Sequence, residues 1–576
     1  MKKILSLIIL AVMLCAFIAG CTEQPATTTA ETATAPDTTV PATDTETVPE
    51  TETETEEVTT EVTTEEETEP EETLPVVTEN EEAMKAEPAE TFTVSRAFAN
   101  GMILQRNEYI RIWGWADDSQ NGKRVEAEFS GLHGAAVIEN GEWTITLGGT
   151  LPECTEGKTL RVYGADGGKE YKYDDVLVGD VYWVIGQSNI WYPVSYILEE
   201  PKASEEARNV EINNDLQIRL NRTYAGDFGG ITIGTNKVSR DVVNRRGWQK
   251  PEEGAKDFSA LGYFTALMLY NKMDRKVPIA MIEFDGNGCA LHAFLPNEVR
   301  DELGISTVNA SGVYTAPGVN GHVSSFMYNH GMYAFQKMPI KGILWYQGES
   351  DCQDTNNNNT AYAYRFTKLI EYLRNAHDQI HKNYPVYIVE LPPIYIAFDF
   401  AQVRMNMGGI PNMLENAHIC PTSDLWKDKN YGLNEPVKNN LHPYNKYEIA
   451  QRMTTIILAD MKVEGKTAEV EGPVAVSCEF SEDRMSATIK FKNVADGLKT
   501  SGSAAKGIKV ISGSRKTWTN ASSIEIIDKD TVKITAKNTI NSIGYGSAYS
   551  DSFPEKLTIC SSTGIPACAF RFDYVE

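Results

Sequence analysis

Val181-Tyr182-Trp183-Val184-Ile185-Gly186-Gln187-Ser188-Asn189 carries the strongest indication of architecture in the chain. Five apolar residues in succession, β-branched and aromatic, with no polar alternation, read as a strand buried on both faces. The run ends on a glycine, and a polar turn follows at once. Comparable runs recur at 278–282, 342–346 and 386–389, separated by helical stretches such as 260–273 and 362–380. Strand and helix in alternation predict a parallel sheet with helices on both faces, an α/β fold. In such a sheet ligands bind beyond the carboxyl ends of the strands, so polar residues directly after buried strands are the first candidates for chemistry.

Three such turns stand out. In Gly186-Gln187-Ser188-Asn189 a glycine before a serine permits a tight strand-to-helix turn that leaves a hydroxyl exposed among backbone N–H groups. On local sequence alone the commoner reading is a serine capping a helix. Gly286-Asn287-Gly288-Cys289 follows Ile282-Glu283-Phe284 and either brings a backbone N–H to a developing oxyanion or is a plain turn. Gln347-Gly348-Glu349-Ser350-Asp351 follows Trp345-Tyr346; its Gln carries amide N–H donors, and its acids orient neighbours or cap the next helix. A serine hydroxyl needs a proton acceptor before it is a useful nucleophile. Among eight histidines His442 is distinctive, in Asn439-Asn440-Leu441-His442-Pro443, a proline-stiffened loop before an amphipathic stretch with Ile449, Met453 and Ile456 on one side. A lone histidine there is more often a surface or capping residue.

Outward from this centre the texture changes. Val125, Ala127 and Phe129, then Trp143, Ile145 and Leu147, then Leu160 and Val162 alternate with polar residues, with turn signals at Asn140-Gly141 and 165–168. They predict an N-terminal antiparallel β domain over 91–173, leaving 174–465 to the α/β domain. Alternation returns in 485–491 and 531–534 and predicts a C-terminal β-sandwich over 466–576. Residues 22–90 are mostly Thr, Glu, Pro and Ala, too poor in apolar side chains to offset chain entropy, and predict a solvated stalk. In 1–21, Lys2 and Lys3 precede an apolar run from Ile4 to Ile18, a signal peptide rather than a membrane span. Phe17-Ile18-Ala19-Gly20-Cys21 is similar to a bacterial lipobox, with cleavage before Cys21 and lipid on its thiol. The expected location is the cell surface of a bacterium: an exported lipoprotein held at the membrane by its N-terminal lipid alone.

Much of the formal charge of -27, from 53 basic and 80 acidic residues, lies in the Glu-rich stalk, and nucleic acid is not an expected partner. With Cys15 removed and Cys21 acylated, seven cysteines remain, without a CxxC pair, so no metal site is predicted. Their odd number leaves at least one unpaired, and nothing compels Cys560 to pair with Cys568.

Taken in order, the blocks resemble the sialate O-acetylesterase family of SGNH hydrolases. They are Gly101-Met102-Ile103-Leu104-Gln105-Arg106, Trp113-Gly114-Trp115-Ala116, Asn140-Gly141-Glu142-Trp143, Val178-Gly179-Asp180-Val181-Tyr182-Trp183 with the Gly-Gln-Ser-Asn turn, Leu261-Gly262-Tyr263-Phe264, Trp345-Tyr346-Gln347-Gly348-Glu349-Ser350, Leu441-His442-Pro443 and Gly564-Ile565-Pro566-Ala567. The resemblance implies a flavodoxin-like SGNH hydrolase core flanked by β domains. It also implies a serine esterase that removes O-acetyl groups from carbohydrate through an acetyl-enzyme, with no cofactor. O-acetylated sialic acid is the leading carrier, and acetylated xylan or another plant glycan the alternative. By position, Ser188 is the nucleophile and His442 the general base. The oxyanion donors are the N–H of Ser188, an N–H in the Asn287-Gly288 turn and the Gln347 side chain.

Three departures accompany it. The family's Gly-Gly-Thr is Asn287-Gly288-Cys289, the methionine after the serine block is Ile190, and the Asp two or three residues before the histidine is replaced by Asn439 and Asn440. The group orienting His442 therefore stays open among Asn439, Asn440, Glu435, Asp424 and a backbone carbonyl. The missing acid, with Trp191 and Tyr192 after Ser188, also motivates a reading from another class, a surface glycan-binding protein without catalysis.

Overall fold

The computed structural model describes residues 81–224, 237–243, 246–305, 323–353, 361–392, 400–425, 441–500, 507–513, 517–546 and 558–575. The expected signal peptide, Cys21 and nearly all of the expected stalk lie outside the described residues, as do Glu435, Asn439 and Asn440.

Strand β1 (Glu170–Gly186) organises the rest. Its first six residues alternate between exposed and half-buried and the remainder is buried throughout, as the change from Glu170-Tyr171-Lys172-Tyr173 to Val176–Ile185 dictates. The first part pairs antiparallel with Cys154–Tyr163 of the N-terminal β region, and the second lies in the middle of the parallel sheet. The boundary expected between 173 and 174 therefore runs through one unbroken strand. The change of texture marks a change of neighbours along β1, and a single apolar core continues from Ala89 to Val474 across it.

The parallel sheet contains β2 (Ile218–Tyr224), β3 (Ile279–Asp285), β4 (Gly342–Tyr346), β5 (Val386–Val389) and β6 (Ala417–Cys420), in the order β2-β3-β1-β4-β5-β6. Trp248–Gln249 adds antiparallel to the outer edge of β2. Without β2 the order is the flavodoxin-like one expected, so β2 is an added edge strand. From β1 the chain builds β2 and then β3 on one side and afterwards crosses to β4 on the other, which makes the carboxyl end of β1 a topological switch point.

Helices cover both faces. Ser259 caps α2, which runs Ala260–Lys272 after the four-residue α1 (Ser188–Trp191), by accepting from the Gly262 N–H at 3.2 Å. Gly262 packs so close that a Cβ there would lie 3.3 Å from Val184 Cγ1. Trp345, on the other face, meets Tyr362 and Phe366 of α3 (Tyr362–Ala376). A fourth helix, α4 (Lys446–Asp460), packs beside α2.

The C-terminal region has two four-stranded antiparallel sheets. One brings Ile489, Phe491 and Ile534, the other Val510, Ile543 and Phe570, to a second apolar core, the sandwich the alternation predicts. No disulfide links the cysteines of the described residues, Cys560 and Cys568 included.

Candidate active site

Gly186 of β1 is in register with Asp285 of β3 and with Tyr346 of β4. The three turns singled out in the sequence therefore leave the sheet at one level, at the switch point. Gly186 is required there, because an added Cβ would sit 2.1 Å from the Tyr346 carbonyl oxygen. The Gly286 N–H donates to the Gly186 carbonyl at 3.1 Å, and the Cys289 N–H closes the 286–289 turn on the Gly286 carbonyl. Gly288 has φ +71°, the left-handed conformation such a turn needs at that position.

Gln187, not Ser188, is the N-cap residue of α1, so Ser188 occupies the first helical position. Its Oγ lies 2.7 Å from His442 Nε2, across 254 residues of sequence. Both residues are half-buried rather than sealed. Burial, and secondarily the nearby Lys446 ammonium, push the His442 imidazole down to about 4. The ring is neutral near pH 7, and with the hydrogen on Nδ1 its Nε2 accepts the Ser188 hydroxyl proton. Cys289, the other nucleophile at this level, is buried and its thiol is pushed up to about 12 by burial and the Asp285 charge. It stays a thiol.

Gln347, expected to donate to an oxyanion, is placed otherwise. It is fully buried, and its Nε2 lies 2.6 Å from Asp351 Oδ2, 3.1 Å from the Cys289 carbonyl and 3.2 Å from Gln187 Oε1. Its Oε1 accepts from the Tyr362 hydroxyl. A carboxylate only accepts, so Asp351 fixes which end of the amide faces it. With its N–H groups already supplied with acceptors, Gln347 braces the three turns together. The Asn287 carboxamide differs: Oδ1 is buried without a hydrogen-bond partner among the described residues. Gly288 is exposed.

Of the groups expected to orient His442, only Asp424 is described. Arg452 takes both of its oxygens at 2.6 Å each, so Asp424 anchors its loop to α4 instead. Among the described residues no carboxylate pairs with the His442 ring.

Three residues that sequence reasoning passed over as partners of this pair lie directly beneath it. Asn189 bonds to Glu349, to the Leu441 carbonyl and to Lys446; Asn189, Glu349 and Lys446 are buried and Leu441 is half-buried. Lys446 had a signal: it falls in phase with Ile449, Met453 and Ile456, a cation on the apolar face of α4. A separate cavity of about 410 Å³ touches Arg106, Asp180, Lys341 and Asp460 at the opposite end of the strands, away from Ser188.

Residues 270–438 match the family model of a carbohydrate esterase, sialic acid-specific acetylesterase. Sialate O-acetylesterase of Homo sapiens is 24% identical over 301 residues, 48% of this chain and 53% of that protein. The Pongo abelii protein is 23% identical over 304 residues, with the same coverage. The chain thus spans about half the length of the curated relatives it matches. The crystal structure of a carbohydrate acetylesterase from Xanthomonas citri superposes with a TM-score of 0.66 at 22% identity, covering 84% of this chain and all of that one. In sequence the chain resembles the sialate O-acetylesterases, and its α/β fold is that of a carbohydrate acetylesterase.

Proposed function

We propose that the chain is a carbohydrate acetylesterase working through Ser188 and His442. The observation that carries the proposal is the 2.7 Å contact between Ser188 Oγ and His442 Nε2 at the switch point of the sheet. His442 accepts the hydroxyl proton as Oγ attacks the acetyl carbonyl carbon, and the carbonyl π electrons move to oxygen. The oxyanion is held by N–H donors at Ser188 and in the Asn287-Gly288 turn. Collapse expels the sugar oxygen, which takes the proton from His442. Water, deprotonated by His442, then attacks the acetyl-enzyme and releases acetate and the free serine. Every proton in this cycle passes through the imidazole.

The leading carrier sugar is O-acetylated sialic acid, supported by the family match over 270–438 and by the named activity of the mammalian relatives. The protein is exported and anchored by lipid on Cys21, as the 1–21 segment suggests. The testing experiment compares acetate release from 9-O-acetylated sialoside and from acetylxylan, with intact protein and with Ser188→Ala and His442→Ala. Each substitution is expected to lower the rate by about 10³-fold or more at unchanged stability, with sialoside the better substrate. Preference for acetylxylan moves the carrier to plant glycan. Glycan binding with no Ser188-dependent rate replaces the esterase with a binding protein.

A further inference from the structure

Asn189 follows the nucleophile directly. Its Nδ2 donates to the Leu441 carbonyl at 3.0 Å and to Glu349 Oε1, and its Oδ1 accepts from Lys446 Nζ at 2.6 Å. Leu441 immediately precedes His442, Glu349 lies in the turn after β4, and Lys446 opens α4. One carboxamide therefore ties the Ser188 turn to the backbone of the histidine loop and to two further elements of the site. The Lys446 ammonium lies 5.1 Å from the ring centroids of both Tyr192 and Tyr346. Burying a charge this deeply costs more than filling the same volume with apolar side chains, so packing alone does not account for it.

We propose that Asn189 is the positioning residue that docks the His442 loop on the Ser188 turn, and that the Lys446 cation it holds sets the electrostatic field at the imidazole. The proposal rests on the esterase reading. In a Ser-His-Asp triad a carboxylate holds the histidine through its second ring nitrogen; among the described residues the hold on the histidine loop is the bond from Asn189 to the Leu441 carbonyl. The charged and titratable groups around the cluster are Lys446 from α4, Glu349 and Asp351 from the turn after β4, Tyr346 from β4, Tyr192 after α1, and the Arg452–Asp424 pair farther along α4. Burial raises Glu349 and lowers Lys446, and each partly offsets the other. Burial and the Lys446 charge both lower His442, so the ring is kept unprotonated and ready to accept.

The test uses 4-nitrophenyl acetate hydrolysis by the full chain. Asn189→Asp keeps the shape and the acceptor for Lys446 but loses the N–H donor to Leu441 and to Glu349. It is expected to melt as the parent does and to lose about 30-fold in kcat, with KM changed by less than about 3-fold. Asn189→Ala is expected to behave alike. Lys446→Met is expected to move the acid limb of kcat/KM upward by about one pH unit, and Lys446→Arg, which keeps the charge, to leave it in place. Parental kcat in Asn189→Asp, failure of that variant to fold, or an equal limb shift in the Met and Arg variants would each overturn the inference. Ser188→Ala in the same assay separates the two readings. If that variant is inactive while those patterns are missing, the inference alone fails; if it hydrolyses at the parental rate, the esterase reading fails.

Discussion

His442 makes the sharpest residue-scale prediction. The neutral ring is the competent one, and its low pKa puts protonation well below the range of an exposed histidine near 6.5. The rate constant kcat/KM is therefore expected to stay level from pH 8 down to about 5 and to fall with a midpoint near 4, as a stopped-assay pH profile will read; a midpoint near 6.5 would contradict the burial of the ring. Asn287→Ala keeps the backbone N–H of its turn and is expected to change kcat by less than about 3-fold, whereas a loss of about 10²-fold would give the oxyanion to its carboxamide instead. The pairing of Ser188 with His442 was legible because Ser188 directly follows a buried strand, His442 precedes an amphipathic helix, and the resemblance pairs them. The occupation of Gln347 was not, since nothing in Gln347-Gly348-Glu349 announces that Asp351 and the Cys289 carbonyl fold back onto the amide. Lys446 was passed over, although it falls on the same face of α4 as Ile449, Met453 and Ile456.

At the scale of elements, close backbone approach and buried ion pairs govern. Gly186→Ala would drive a methyl into the Tyr346 carbonyl and is expected to cost about 3 kcal/mol in denaturant unfolding. On β6, His418 lies between Asp460 of α4 and Glu471. Burial would lower its pKa, but hydrogen bonds to Asp460 and Glu471, with their charges, raise it to about 9. Because the folded value lies above the unfolded one, this stabilisation is complete below about pH 6.5 and is lost as pH rises through about 9. The melting temperature is expected to fall from pH 7 to 10, and His418→Gln to flatten that dependence. Strands β1, β3, β4 and β5 were readable as uninterrupted apolar runs, whereas the junction at 173 was not, because strand continuity depends on which neighbours pair with each half of β1.

For the whole molecule, Glu390 is one of several joints between the central and C-terminal regions, beside the bonds from Asn412 to the Ala475 carbonyl and from Lys492 to the Pro411 carbonyl. It accepts from the Ala569 N–H at 2.8 Å with one oxygen and pairs with Arg404 through the other, all of it buried. Glu390→Leu is expected to cost about 3–5 kcal/mol, by stranding the Arg404 charge, and to raise amide exchange in Phe570–Asp573. The two flanking β regions were visible as alternating sequence, but the attachment of the C-terminal one was not, since a buried carboxylate directly after β5 carries no local pattern. The most direct measurement of the central claim is active-site labelling with a fluorophosphonate, located by peptide mass spectrometry. The account predicts one stoichiometric adduct on Ser188, blocked activity, and at least tenfold slower labelling in His442→Ala. Full acetyl-ester hydrolysis with Ser188 unlabelled, or a blocking adduct on another residue, would contradict it.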